Sequence, residues 1–375
     1  MINTYIPFMG LEEKKNLEKF FKKNFFSTAG PLIYEFEKKF SKKFKFKDSI
    51  ALNSGTSSLH LGLKAIGVKK GDLVIVPSYT FAATINAIIY CNAEPWFFDI
   101  DDEFELDLNL VQKEINSKTS KIKNIIKHRD LKKNVKAILP VSSFGKKIDF
   151  KKFTNFAKKN DLEILFDVAA SHNPKIFNFK KENKMNFSFS FNGNKTLTSG
   201  SGGVFSSNSK PIISKVRTLA NVGKGKSNYD IIEVGYNYKM SNIQAALALA
   251  QLQKLKKILK LKKKIFKNYE EGLRMNLNIK IFNDQKFLNW VFMIVLKNHD
   301  HFIKLKKVFN NKGIQLNYFW KPLHIQKPYK NFIRTNMTHT NNIWNKVVIL
   351  PSHPGVNKIQ QNKIIDLINK VIIQE

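Results

Sequence analysis

Three stretches of the sequence carry residue types that could do chemistry together. The first is Asn53-Ser54-Gly55-Thr56-Ser57-Ser58. Gly55 permits a tight turn, and free amides at Thr56 and Ser57 would open a helix over Thr56–Ile66. Such a helix start binds a phosphate through its amides and the positive end of its dipole. Alternatively, its Ser and Thr side chains only cap the helix. The second stretch ends at Asp167, after the apolar run Glu163-Ile164-Leu165-Phe166. A carboxylate at the C-terminal end of a parallel strand sits where α/β folds place ligands. Beside a pyridine-type nitrogen it would hold that nitrogen protonated; read singly, it could equally cap a helix or lie on the surface. The third stretch runs from Phe187 to Gly203, a strand leading into Lys195 and then a glycine-rich segment. Burial or neighbouring charge lowers a lysine's pKa and makes it a Schiff-base former. Ser190 is near enough in sequence to share a phosphate site with the helix start.

The elements that must position these residues follow from the apolar pattern. Candidate strands are Ser49–Leu52, Leu73–Val76, Pro95–Asp99, Val135–Pro140, Glu163–Asp167, Asn186–Ser190 and Gly203–Ser206. Amphipathic stretches alternate with them at Thr56–Ile66, Phe81–Tyr90, Asp149–Lys159 and Pro211–Leu219, a rhythm that argues for an α/β domain with a mostly parallel sheet. A long helix is expected over Asn242–Leu273, without Pro or Gly before Gly272. Beyond it Leu288–Leu296 reads as a strand, with helices at His301–Asn311 and Ile359–Ile373.

Composition bounds the function. The chain has 375 residues and a formal charge of +35, which at first sight suggests nucleic acid or an anionic membrane. Yet of 64 basic residues only Arg129, Arg217, Arg274 and Arg334 are Arg, and nucleic-acid sites favour its bidentate fork. The abundance of Lys, Asn, Ile and Phe reads instead as a compositional bias at tolerant positions. The basic segment Ser117–Lys136 lacks interleaved aromatics and is expected to be a solvated excursion. The single cysteine, Cys91, cannot form an internal disulfide and is expected to pack as a small hydrophobe. With neither a secretory pattern nor a membrane span, the expected address is cytoplasmic.

Several ordered blocks carry a resemblance: Asn53–Leu61, Val76–Thr84, Ala93–Asp101, the Lys195 block, Val234–Ala246, Phe319–Lys330 and Leu350-Pro351-Ser352. Across nearly its whole length the chain resembles the DegT/DnrJ/StrS family of PLP-dependent sugar aminotransferases. The resemblance implies the fold type I architecture: a large domain (1–250) with a mostly parallel seven-stranded sheet, and a smaller C-terminal α/β domain (251–375) on which the first ~25 residues pack. It implies pyridoxal 5'-phosphate (PLP, cycling with PMP) as cofactor, with no metal. Lys195 then resembles the cofactor-bearing lysine and Asp167 the partner of the ring nitrogen. Gly55, Thr56, Ser57 and Ser190 would hold the phosphate and Phe81 would stack on the ring. Asn237 resembles a residue that reaches the phosphate from a neighbouring subunit, which implies a homodimer with shared sites. The string Asn192-Gly193-Asn194-Lys195 resembles the branch aminating C4 of UDP-linked 4-keto-6-deoxy-HexNAc sugars, and Asn194, Lys321 and His324 are its candidate substrate residues. Expected partners are thus a nucleotide-sugar and an amino-acid donor, by resemblance glutamate, and neither nucleic acid nor membrane. Two other readings are a PLP-dependent sugar dehydratase, whose branch carries His in place of Lys195, and a non-catalytic nucleic-acid-binding relative. The chain departs from the family pattern at Ala170, Ser142, Lys239 and Asn317, and lacks glycines between His172 and Asn186.

Overall fold

A computed structural model describes residues 1–22, 25–123, 125–178, 185–227, 229–283 and 287–372. The apolar runs of the first 207 residues pair into one continuous sheet. Its order is Glu94–Phe98, Leu73–Pro77, Val135–Ile138, Glu163–Ile164 continuing as Phe166–Asp167, Asn186–Ser190, Gly203–Ser207 and Asp48–Leu52. The split at Leu165 does not open the sheet, because Leu165 N–H donates to Ile138 and Asp167 N–H to Pro140. All neighbours run parallel except Gly203–Ser207, which is antiparallel to both strands beside it. This is the expected mixed α/β architecture with seven strands, mostly parallel.

Strands buried on both faces need helices on both faces. On one face Gly55–Ala65, Ala82–Tyr90 and Lys210–Ala220 bury Leu59, Leu63, Ile85, Ile88, Val216 and Leu219. On the other, Pro31–Phe44, Leu108–Lys118, Phe150–Lys159 and the first half of Asn242–Leu273 pack a phenylalanine-rich layer. Within it Phe40 stacks on Phe44 at 4.3 Å, and Phe150, Phe166, Phe177 and Phe187 meet edge-on or stacked. Aromatic contacts of this geometry add to plain area burial.

The Asn242–Leu273 helix begins with a reciprocal cap between Ser241 and Gln244. Asn242 also fastens the N-terminal segment, donating to the Phe25 carbonyl at 2.8 Å and accepting from Leu32 N–H at 3.0 Å. A Cβ at Gly30 would fall 2.0 Å from Asn242 Cγ, so only glycine lets the chain pass there. Beyond this helix, Ile279–Phe282, Phe292–Leu296 and Val347–Leu350 form an antiparallel sheet, covered on one face by His299–Asn311, Lys358–Val371 and the long helix. Its other face joins an aromatic cluster that includes Tyr79, Phe104, Phe144 and Trp290, which connects it to the first sheet. Ile2 exchanges backbone bonds with Gly313 and Gln315, while helix Leu11–Phe21 lies along the long helix.

Three expectations are corrected or refined. The strand expected from Leu288 starts only at Phe292, because Leu288 takes a left-handed φ of 51° and Trp290 N–H bonds sideways to Phe144. The segment 117–136, expected as a solvated excursion, is a largely exposed hairpin, Thr119–Ile122 with Ile125–His128, and three of its lysines pair with acids: Lys118 with Glu114, Lys121 with Asp161, Lys133 with Glu94. The closing helix spans Lys358–Val371, and residue 373 lies outside the described residues, as do 179–184 of the glycine-poor stretch. Among the described residues no helix is long and apolar enough to cross a membrane.

One ion pair ties the first helix to the long one. Lys254 Nζ lies 2.5 Å from Glu13, both side chains under 5% exposed, and Gln251 and the Gly10 amide also donate to that carboxylate. Removing one partner of a buried pair strands the other charge. Glu13→Ala should therefore lower the unfolding free energy by about 3–5 kcal/mol, read from denaturant unfolding.

Candidate active site

The C-terminal ends of the parallel strands open into a cavity of about 370 Å³. Its walls bring together Gly55, Thr56, Phe81, Asp167, Ser190, Asn194 and Lys195 from four separate chain segments. This is the crevice where open α/β sheets place ligands.

The helix start is organised by Ser54. Its Oγ accepts from Ser57 N–H at 3.0 Å, while Ser57 Oγ bonds to Asn53 Oδ1 at 2.6 Å. Ser57 is thereby taken up by the cap, and the amides that remain toward the cavity are those of Gly55 and Thr56; among the described residues no protein acceptor takes either. A Cβ on Gly55 would lie 2.7 Å from Ser190 Cβ, so the missing side chain is what lets the strand carrying Ser190 close against the helix start. Gly203 has the same constraint, since a Cβ there would fall 2.2 Å from the Ser54 carbonyl oxygen. The result is a small cradle of amides and a hydroxyl, suited to a phosphate.

Asp167 is 4% exposed and accepts from Thr84 Oγ1 at 2.8 Å and Ala169 N–H at 3.0 Å. Burial pushes its carboxyl above the usual range, while these donors and Lys195 pull it down. A cationic ring nitrogen beside it would favour the ionised form further. Burial lowers the Lys195 ammonium to about 8, opposed by the charge of Asp167. A lysine in this range is a workable nucleophile and base near neutral pH. His172 packs behind, against Phe191, and burial holds it neutral at a pKa of about 3.

The expected residues differ in where they stand relative to the cavity. Phe81 caps the helix Ala82–Tyr90 at the rim, 59% exposed, with its ring 6.4 Å from that of Trp320. Lys321 is exposed and off the wall. His324 is buried, with Nδ1 2.6 Å from Ser78 Oγ and Nε2 3.0 Å from Asn341 Oδ1, so both ring nitrogens are used by the protein. Asn237 is exposed, away from this chain's cavity, on a ribbon bridged to Asn221. Among the departures, Ala170 and Ser142 line the cavity, Ser142 pairing with Ser171 at 2.7 Å. Lys239 is bridged to Leu52 and lines a separate cavity with Glu37 and Arg217, and Asn317 is exposed.

Two functional-looking residues were not singled out from sequence. Thr84 was visible only as the last residue of a matching block. Trp290 gave no local signal, yet its ring centroid lies 3.8 Å from Lys195 Nζ. Its indole N–H donates to the Asn194 carbonyl at 2.8 Å, and its own carbonyl accepts from the buried Lys262 at 2.8 Å. The other cavity aromatics, Phe319 and Trp320, stack at 4.5 Å. Among the described residues no group of His, Cys, Asp and Glu could hold a metal ion.

Residues 7–369 match the DegT/DnrJ/EryC1/StrS aminotransferase family. GDP-perosamine synthase of Vibrio cholerae is 32% identical over 379 residues, 98% of each chain. A solved DegT DnrJ EryC1 StrS aminotransferase from Brucella abortus is 27% identical, with a TM-score of 0.85 over 97% of this chain and 96% of that one. The ntda protein of Bacillus subtilis, solved with bound cofactor PMP, shares the fold at 23% identity, with a TM-score of 0.84 and coverage of 97% and 82%.

Two outcomes follow from the geometry. Gly55→Ala should cost about 1–3 kcal/mol by overpacking against Ser190, read from denaturant unfolding. Reaction of Lys195 with an amine reagent should rise through pH 8, the pKa of the buried ammonium. Exposed lysines become reactive only toward about pH 10. Peptide mapping of labelled protein would show whether Lys195 leads the exposed lysines at about pH 8.

Proposed function

The chain belongs to the DegT/DnrJ/EryC1/StrS aminotransferase family, whose cofactor is PLP, and from that premise we propose that it transfers an amino group from an amino acid to a nucleotide-linked keto-sugar, with Lys195 and Asp167 as its catalytic residues. The observation that carries this is the joint placement of Lys195, Asp167 and the Gly55–Ser190 cradle around one cavity. The three match three polar parts of the cofactor: aldehyde, ring nitrogen and phosphate. PLP, when bound, supplies an electron sink for carbon–hydrogen cleavage.

The chain's residues divide the remaining work. The Gly55 and Thr56 amides and Ser190 hold the phosphate, with Ser57 bracing the turn. Phe81 covers the ring. Asp167, kept acceptor-only by Thr84 and Ala169, holds the ring nitrogen protonated. Nζ of Lys195 anchors the cofactor; once displaced, it accepts the α-proton of the donor, by resemblance glutamate, and delivers a proton to the sugar carbon that gains nitrogen. Residues 1–250 form the large cofactor-binding domain in this proposal, and 251–375 the small C-terminal domain.

The proposed enzyme is also a homodimer. Asn237 lies outside its own cavity on a ribbon whose Tyr229, Ile231, Ile232 and Val234 are exposed apolar residues. Such a surface favours a partner, and a second copy would receive Asn237 at its phosphate site.

For the sugar, a GDP-linked keto-sugar stands first, supported by the 32% identity to GDP-perosamine synthase. A UDP-linked 4-keto-6-deoxy-HexNAc is the second reading, supported by the string from Asn192 to Lys195. Asn194, on the cavity wall, is the best placed of the proposed substrate residues, whereas Lys321 lies off the wall and His324 is bonded to Ser78 and Asn341.

Purified protein given PLP should absorb near the visible edge, and absence of that band would sink the proposal. Lys195→Ala should abolish transamination and Asp167→Ala remove most of it, about 10³-fold or more. Mass spectrometry of glutamate reactions with GDP-, UDP- and dTDP-linked 3-keto and 4-keto sugars decides between the two substrates.

A further inference from the structure

Resting on the reading of Lys195 as cofactor anchor, we propose that Trp290 is a positioning residue for it: the indole face holds the Lys195 ammonium whenever that lysine is off the cofactor and carries its extra proton. The contact spans two parts of the chain. Lys195 follows a strand of the parallel sheet, whereas Trp290 precedes a strand of the second sheet. Nζ lies 3.8 Å from the ring centroid, a distance at which the negative face of an indole attracts a cation strongly, and more so away from water.

The need for such a face comes from the charges around Lys195. Asp167 is the only acid on the cavity wall among the described residues, and in the proposed function it is committed to the ring nitrogen. His172, which feels the charge of Lys195, is held neutral, and Tyr5, Lys262 and His353, which share a smaller pocket with that lysine, are not carboxylates either. Each time the displaced lysine takes up a proton, a buried ammonium must therefore find a partner other than a carboxylate. Trp290 supplies one without competing for the proton.

The ring is also fixed like a dock rather than left as loose packing. Its N–H donates to the Asn194 carbonyl, next to the lysine it serves. Its backbone N–H donates to Phe144 at 2.7 Å. Tyr5 stacks behind it at 5.2 Å. Lys262, buried on the long helix, donates to the Trp290 carbonyl at 2.8 Å and to that of Ser352 at 3.2 Å. Four elements thus hold the indole in place. Lys195 can leave and return to the same spot.

The test uses capture of PLP by the apoprotein, followed by absorbance from pH 6 to 10, which reads the free lysine without any sugar. The lysine amine condenses with the aldehyde and one water leaves, so capture follows the neutral amine. Because the ring favours the ammonium, Trp290→Leu should move the midpoint down by about one pH unit. Trp290→Phe, which keeps a π-face, should move it much less. Should Trp290→Leu fail to fold, fluorinated tryptophan offers the same comparison: the ring keeps its shape while its face loses charge, and the midpoint should fall stepwise with fluorine count. The Trp290→Phe protein, labelled in the same way, should show no such steps. An unchanged midpoint in folded Trp290→Leu protein, or under fluorination, overturns the proposal alone. Wild-type protein that captures no PLP overturns it together with the aminotransferase reading.

Discussion

Everything in this site depends on keeping one ammonium and one carboxyl away from water in the same cavity. Desolvation opposes both charges, pushing Lys195 down and Asp167 up. Neither could be stable there without compensation, and the fold supplies it from far along the sequence. Thr84, at the start of a helix, steadies the carboxyl, and Trp290, from beyond residue 280, faces the ammonium. The parallel sheet is what makes this possible, because it delivers the ends of distant strands to one crevice. Preorganised groups of this kind are effective since they need no rearrangement when charge moves.

The sheet itself was largely legible. Each of its seven strands appears within a residue or two of the apolar run that announced it, and the Asn242–Leu273 helix appears at its expected bounds. Such elements are fixed by local periodicity, which a single sequence displays. The cradle was half legible. The motif at Gly55 located it, but not that Ser54 would consume the Ser57 amide, a matter of cap geometry. What stayed hidden depends on tertiary contact. Trp290 looks like any apolar residue in a strand, and only the left-handed turn at Leu288 takes it off the ladder and toward Lys195. His324 shows the opposite failure: its residue type suggested chemistry, yet Ser78 and Asn341 occupy it structurally.

The large positive charge also takes on a different meaning once the lysines are located. Many lie on the surface, where pairs such as Lys39 with Glu35 contribute little. Lys254 and Lys262 are buried and Lys195 is half-buried, and each has a separate solution to the same cost. One faces an indole, one meets a carboxylate, and one donates to two backbone carbonyls. Burial alone lowers the last to about 7. Counting charges could not have distinguished these three from the rest.

The sheet order has a further consequence, for how the chain is made. Asp48–Leu52 is an edge strand, and its ladder partner is Gly203–Ser207. At roughly 5–20 residues per second, that partner leaves the ribosome on the order of ten to thirty seconds later. The segment that opens the phosphate cradle is thus the first strand synthesised and among the last to be paired. Until then its backbone edge is available to any other strand in reach. Nascent-chain protection by chaperones should accordingly matter most over that interval, before residue 207 has emerged.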